Sequence, residues 1–373
     1  MSPVTQFVFD GQKWQNEVRT ERVSAATRST TRTSTVDRST LVLGSYKPDA
    51  TTAGLLPGVS LVDVNSAMTY TAGGTATSWM VVENKKFNDR VTIKAKYITF
   101  KNCWFRGSPT QNVEVVKAYD PTVGALKFVD CLIKAQAPQW ATAGFKGGYQ
   151  VTLERCEITG VIDGVAYVNP HNNYTEDQGF KMYGCWLHDL ALFSPDPGAW
   201  GGIYDNAGHV DLIQLRGGAN MHFKGNNFDG FVDPALGAAS VHSVDRPEIG
   251  TNGQPTGKII HERGNPHYPI ASPQLPPTKK QLATMSVFMF SPKLGPLKNV
   301  MIEQNWINGG NYSMNFAGYT TEVSNIVIRN NTWGRDMYGG RIATILAKLE
   351  TPLTISGNKF ADDGADANMR KRG

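Results

Sequence analysis

No run of apolar residues in this 373-residue chain is long enough to cross a bilayer, which excludes a helical membrane span. Dense basic runs are missing as well. Lys and Arg number 37 against 32 Asp and Glu, and no cationic cluster stands out before the tail MRKRG at 369–373. A net charge of +5 spread this thinly disfavours nucleic acid as a partner. The opening segment MSPVTQFVFDGQKW lacks the basic-then-apolar layout of an export signal, so passage through the general secretion route is not expected. There are only four cysteines, with no Cys-x-x-Cys or Cys/His cluster, so neither a metal nor a cofactor is expected. Glycine (38) and proline (20) are plentiful by contrast, which suits a turn-rich all-β chain.

What fills the chain is a repeat of eight residues. ITFKNCWF (Ile98–Phe105) returns as LKFVDCLI from Leu126, VTLERCEI from Val151, FKMYGCWL from Phe180 and MHFKGNNF from Met221. It returns again as VMIEQNWI from Val300, IVIRNNTW from Ile326 and LTISGNKF from Leu353. The sixth positions are Cys103, Cys131, Cys156, Cys185, Asn226, Asn305, Asn331 and Asn358, separated by 28, 25, 29, 41, 79, 26 and 27 residues. A strand-like unit recurring at a period near 27 predicts a solenoid.

Positions one and three are apolar in most copies with polar residues between, the alternation of a strand with one buried face. Position five is Gly, Asn or Asp in six copies, the residues that best tolerate a left-handed backbone, so the chain turns there. Position eight is apolar again. Strand, one-residue corner, strand, once per coil, predicts a parallel β-helix, and eight coils stacked at roughly 4.8 Å make a rod about 35–40 Å long. At position six, four thiols are followed by four amides. Stacked amides can satisfy one another in a ladder, or they can cap the turn from outside; the cysteines are expected to be free and buried.

In chain order, residues 1–45 form an Arg/Thr/Ser-rich arm without the repeat, either disordered or ordered against another subunit. Residues 46–365 hold the β-helix. Within it, Asp163–Asp177 and Ser194–Asp211 read as outer loops, and a Pro-rich, aperiodic insertion occupies about 231–284. TMSVFMF, just after it, reads as a strand belonging to the sixth coil. Residues 366–373 read as a frayed tail.

The densest polar cluster is YDNAGHVDLIQL, with Asp205, His209 and Asp211 as candidate catalytic groups and Gln214 as a glycan contact. If the coils stack, His188 and Asp189 lie one coil away and Asp163 nearby, as further glycan-binding candidates. Two or three carboxylates with a histidine could do acid/base work on a sugar; His209 and Asp211 could equally pin a turn. With Ile213 and Leu215 inward, Gln214 and Leu212 point outward. Trp104, Trp186 and Trp306 occupy the outward position seven, suited to sugar faces or to burial between subunits.

KPDATTAGLLPG, the coil units, HVDLIQLRGGANMHFKGNNF and NIVIRNNTWGRDMYGG together resemble the pectate-lyase-like right-handed parallel β-helix proteins of actinobacteria and their phages, there often minor tail proteins or tailspikes. The resemblance covers roughly residues 46–360. The group's His-x-Asp-x-x-Gln piece is matched by His209, Asp211 and Gln214, with Leu212 where that group usually has Gly. The resemblance implies a right-handed coil and a virion tail component made in the host cytoplasm. It also implies a homotrimer, with residues 1–45 meeting other tail proteins and host surface polysaccharide as the ligand. No counterpart of the pectate lyases' calcium-binding carboxylates is found, so lyase activity is not implied. A polysaccharide-degrading enzyme of the β-helix class is the alternative.

Overall fold

The protein was analysed as a computed structural model. It describes residues 5–9, 14–18, 36–118, 124–138, 142–147, 149–167, 179–194, 210–239, 243–249, 255–263, 281–282, 286–292, 294–310, 312–316, 323–336, 340–344 and 353–367. The eight-residue unit builds a right-handed parallel β-helix of three sheets. Positions one to four of each unit form the first sheet, nine strands from Met80–Glu83 to Thr354–Ser356. Positions seven and eight begin the strands of the second sheet, which runs from Val62–Val64 to Lys359–Phe360. The residues between units supply the third, nine strands from Met68–Tyr70 to Gly340–Thr344. Register follows the repeat residue for residue: Ile98 pairs with Leu126 and Leu126 with Val151. Among the described residues the only helix is a 3-10 turn at Arg38–Thr40, and none is long and apolar enough to cross a membrane.

The corner at position five is left-handed in every copy. Asn102, Asp130, Gly184, Gly225, Asn330 and Gly357 have φ between 48° and 65°, and so do Arg155 (49°) and Gln304 (56°), whose side chains give them no local advantage there. After each corner the sixth side chain turns inward and, in the C-terminal half, bonds its neighbours. Asn226 Nδ2 donates to Asn305 Oδ1 (2.9 Å), Asn305 to Asn331 (3.0 Å) and Asn331 to Asn358 (2.9 Å). Each of these four amides also donates to a backbone carbonyl one coil back, Met182, Phe223, Ile302 or Ile328. Each Oδ1 accepts the next backbone N–H as well, Asn226 closing on Cys185 N at 2.9 Å. The amides are therefore an internal ladder and not external caps. The four cysteines continue it as free, buried thiols. Along the interior, rings stack from coil to coil, Phe100 on Phe128 at 5.0 Å and Phe290 on Phe316 at 4.2 Å.

One coil precedes the eight. Met80–Glu83 pairs with Ile98–Lys101, and Lys85–Phe87 with the strand Trp104–Phe105. MVVENKKF is thus a ninth copy, with its corner at Asn84 (φ 56°) and Lys85 at position six. The segment Asp163–Tyr167, expected in a loop, is a strand of the third sheet. Ser286–Phe290 is, as expected, a strand: it lies in the third sheet between the fifth and sixth units, paired with Asp211–Leu215 on one side and Tyr312–Phe316 on the other. The region 231–284 is not devoid of secondary structure either. The second-sheet strand continues as Asn227–Ala239 beside Leu190–Ser194, and an antiparallel hairpin joins Ser243–Ile249 to Pro255–Arg263.

Residues 36–58 lie against the protein's own corner. The strap touches the fifth positions of several coils in turn: Gly44 faces Gln304 and Gly225, Tyr46 faces Gly184, Gly54 N donates to Arg155 O (2.8 Å), and Leu56 N donates to Asn102 Oδ1 (2.8 Å). A Cβ at Gly184 would stand 2.8 Å from Tyr46 Oη, so glycine there serves the left-handed turn and the strap's clearance together. Arg38 pins the strap. Its guanidinium donates to Thr51 O, Ala53 O, Gly54 O and Leu55 O, and to Asp130 Oδ1 at 3.1 Å. At the other end Ala367 is buried and its N–H donates to Asn358 O, closing the last coil; residues 368–373 lie outside the described residues.

Candidate functional site

The second sheet turns into the third at a corner where the chain makes its two longest excursions. In coil four, residues 195–209 connect Leu190–Ser194 to Asp211–Leu215. In coil five, the region 231–284 leads to Ser286–Phe290. Each candidate residue that the structure describes sits on one flank of this corner or the other. Asp205 and His209 lie outside the described residues.

On the third-sheet flank, Asp163 and Asp211 begin strands of successive coils. Asp163 Oδ1 accepts the N–H of Asp211 (3.1 Å), and Asp211 Oδ1 accepts the N–H of Ser286 (3.0 Å). Each carboxylate thus caps the first free donor of the next strand, a short acidic counterpart of the amide ladder. Ile213 and Leu215 point inward and leave Gln214 outward. Leu212, also expected outward, is buried. Gln214 Nε2 reaches Asp211 Oδ2 at 3.4 Å, and its Oε1 accepts Arg216 Nε at 2.8 Å. Arg216, Ser286 and the pairing of Asp163 with Asp211 were not evident from the sequence: the two aspartates are 48 residues apart and meet only because one coil stacks on the next.

Burial drives both carboxyls toward the neutral form. It lifts Asp163 to about 6, against the opposing pull of the Asp211 N–H and the charges of Arg216 and Lys146. Asp211 is pushed up further, by burial first and then by repulsion from Asp163. Asp211 is only 1% exposed, whereas Asp163, Gln214 and Arg216 each keep a part open to solvent. Asp163 is therefore the carboxyl a ligand can reach, and Asp211 is a buried support.

The raised value gives a pH dependence with a definite sign. A carboxyl with a folded pKa above its unfolded one stabilises fully below the unfolded value, here 3.8, and loses that contribution as pH climbs through about 6. The loss over this window is on the order of 2–3 kcal/mol. Asp163→Asn keeps an oxygen for the Asp211 N–H but cannot ionise. Urea titrations at pH 4, 5, 6 and 7 should show the variant losing less stability over this range than the wild type, the remaining slope coming from buried Asp211; parallel curves would contradict the assignment.

On the second-sheet flank, Trp186 and His188 share the outer face of one strand and stack at 3.5 Å, with 16° between planes. His188 Nδ1 lies 2.8 Å from Asp189 Oδ2 and Nε2 lies 3.3 Å from Glu157 Oε1. Asp229, level with His188 in the next coil, is raised by burial, with Lys47 and His188 pulling the other way. Glu157 and Asp229 are additions that sequence reasoning missed, both from columns legible only once register is known. His188 and Asp189 thus form a cluster on a different sheet from Asp211 and do not join one acid/base constellation with it. Trp104, Trp186 and Trp306 do face outward, but all three are half-buried. Lys86 and Arg106 lie over Trp104, at 5.6 and 5.2 Å from its centre, and His188 covers Trp186. These columns are partly occupied by the protein itself. Among the described residues no group of three or more His, Cys, Asp or Glu side chains is placed to hold a metal ion.

Comparison of the chain with family models, with curated proteins and with solved structures returns no match.

Proposed function

We propose that the protein is a tailspike-like component of a bacteriophage tail that meets host surface glycans at the corner between the second and third sheets. The observation that carries this reading is a carboxyl, an amide and a guanidinium (Asp163, Gln214 and Arg216), each partly open to solvent, on the sheet that follows the corner where the two longest connections in the sequence fall. Carboxylate, amide and guanidinium groups offer the directional acceptors and donors that sugar hydroxyls require, and long connections on one side of a solenoid mark a binding side. The resemblance of HVDLIQLRGGANMHFKGNNF to phage β-helix proteins supports the tail assignment. The same reading makes the working form a trimer and places residues 1–35 among other tail proteins.

Purified host envelope polysaccharide should bind the protein, and Arg216→Ala with Gln214→Ala should weaken binding about tenfold or more, as loss of charge-assisted hydrogen bonds requires. Mass spectrometry of purified particles should find the chain. Absence from particles together with no polysaccharide binding would sink the proposal.

A second reading is favoured by one observation. A carboxyl raised to about 6 and partly open to solvent, as Asp163 is, can serve as the general acid of glycan hydrolysis. It expects new reducing ends from the same polysaccharide, lost in Asp163→Asn. Intact polysaccharide after prolonged incubation decides for binding alone.

A further inference from the structure

A separate feature lies on the outer face of the first sheet, away from that corner. A groove of about 480 Å³ crosses coils four to seven, within the size range of sites for small ligands. One wall is a rail of amides. Asn299 Nδ2 donates to Asn220 Oδ1 and Asn325 Nδ2 to Asn299 Oδ1, both at 2.8 Å. All three asparagines stand where the third sheet turns into the first, with φ of 58°, 54° and 53°. The rail repeats at one strand step, about 4.8 Å, close to the length of one pyranose.

The floor is apolar. Met301 and Val327 point outward from neighbouring strands, directly paired, and are half-buried. The opposite side is a relay that runs across coils. Tyr183 Oη lies 3.2 Å from His222 Nδ1, His222 Nε2 lies 2.9 Å from Glu303 Oε1, and Arg329 holds Glu303 Oε2 at 2.7 Å. With the Nε2 proton given to the carboxylate, Nδ1 accepts the Tyr183 hydroxyl and fixes the phenol at the groove's edge, its oxygen still able to accept. The groove thus offers an apolar strip between fixed donors and acceptors, with an aromatic edge.

We propose that this groove is a second saccharide-binding site. A sugar chain lies along the rod, with its C–H faces on Met301 and Val327 and its hydroxyls on the asparagine rail and Tyr183. A peptide strand has nothing to add to, because the groove is on the face of a sheet whose strands are already paired on both sides. An oligonucleotide would meet the Glu303 carboxylate in the wall, and two of the cations near it, Lys224 and Arg329, are already paired with that carboxylate. The site does not depend on the corner: it is on another sheet, and either can hold a glycan without the other.

Isothermal titration of the full chain with cellohexaose, chitohexaose and hexagalacturonate tests the proposal, with the oligonucleotide dT12 as the competing probe. At least one sugar should bind. Asn299→Gly keeps the left-handed backbone and removes the central amide, and should weaken that sugar at least about fivefold, the loss of one hydrogen bond. Val327→Trp fills the floor and should abolish binding. If that variant does not fold, Asn299→Gly decides alone. The proposal is overturned if none of the three sugars binds, if dT12 binds in their place, or if binding survives both groove variants. Binding that survives them yet disappears in Asp163→Asn puts the ligand at the corner, so this inference fails while the corner reading stands.

Discussion

Asn305→Leu is expected to cost about 3–5 kcal/mol of unfolding free energy, read as a shift in the urea midpoint, far more than an average substitution. Leucine matches asparagine closely enough in size that little cavity forms, so the loss isolates hydrogen bonding. Asn305 Oδ1 accepts both the backbone N–H and the Nδ2 of Asn226, and its own Nδ2 donates to Phe223 O and Asn331 Oδ1. All of this is at 0–1% exposure, so no water can replace the missing partner. Each orphaned buried group costs about 1–3 kcal/mol, and two donors and a carbonyl lose theirs here. The thiol half of the ladder makes a useful contrast. Cys131 Sγ makes only long contacts, 3.3 and 3.5 Å, to Val129 O and Phe100 O. Cys131→Ala should cost roughly 1 kcal/mol, mainly as lost packing. Equal losses in the two variants would show that the amide ladder is not what holds the C-terminal coils.

Arg38→Ala is expected to release the strap without unfolding the rod. The side chain is buried and bonds four carbonyls of the strap's own return path together with Asp130. Breaking a buried, charge-assisted set of this kind costs about 3–5 kcal/mol. The loss stays local, because Asp130 keeps Arg155, whose Nε lies 2.9 Å from Oδ1. Hydrogen exchange should therefore accelerate about a hundredfold or more at Gly54 and Leu56, the amides that bond the body. Amides within Val151–Glu154 and Leu126–Val129 should hardly change. Uniform acceleration through the coils would mean that the strap is part of the cooperative core, and no acceleration at all would mean that the carbonyl contacts contribute nothing.

The repeat was legible because its parts obey local rules. Inward positions one, three and eight had to be apolar, and six of eight corners carried a residue suited to positive φ. Arg155 and Gln304 break that local preference and still adopt the left-handed corner. At Gln304 the amide ladder of the neighbouring coils offsets a cost of about 1–2 kcal/mol, and at Arg155 the guanidinium's bonds to Asp130 and the Gly54 N–H on its carbonyl do so. The ninth copy was missed for the converse reason. Lys85 at position six hides the pattern, since MVVENKKF lies outside the ladder and needs neither thiol nor amide. The site was less legible than the fold. His188 and Asp211 are 23 residues apart in sequence yet sit on different sheets, while Asp163 and Asp211, 48 apart, share a hydrogen bond. In a solenoid a few residues turn the chain onto another face, and about one period brings it back to the same one.

By itself the amino-acid order determined that this chain coils, where each coil turns, and which eight side chains recur at the position after the turn, because strand alternation and corner chemistry act over a few residues. Only the tertiary structure decided which carboxyl is open and which is buried, how residues 36–58 lie along the corner, and that an amide rail, Met301 and Tyr183 border one groove. Those outcomes depend on register between coils and on the length of each connection. Neither is a local property, and a one-residue slip in either would move every outward side chain to the interior.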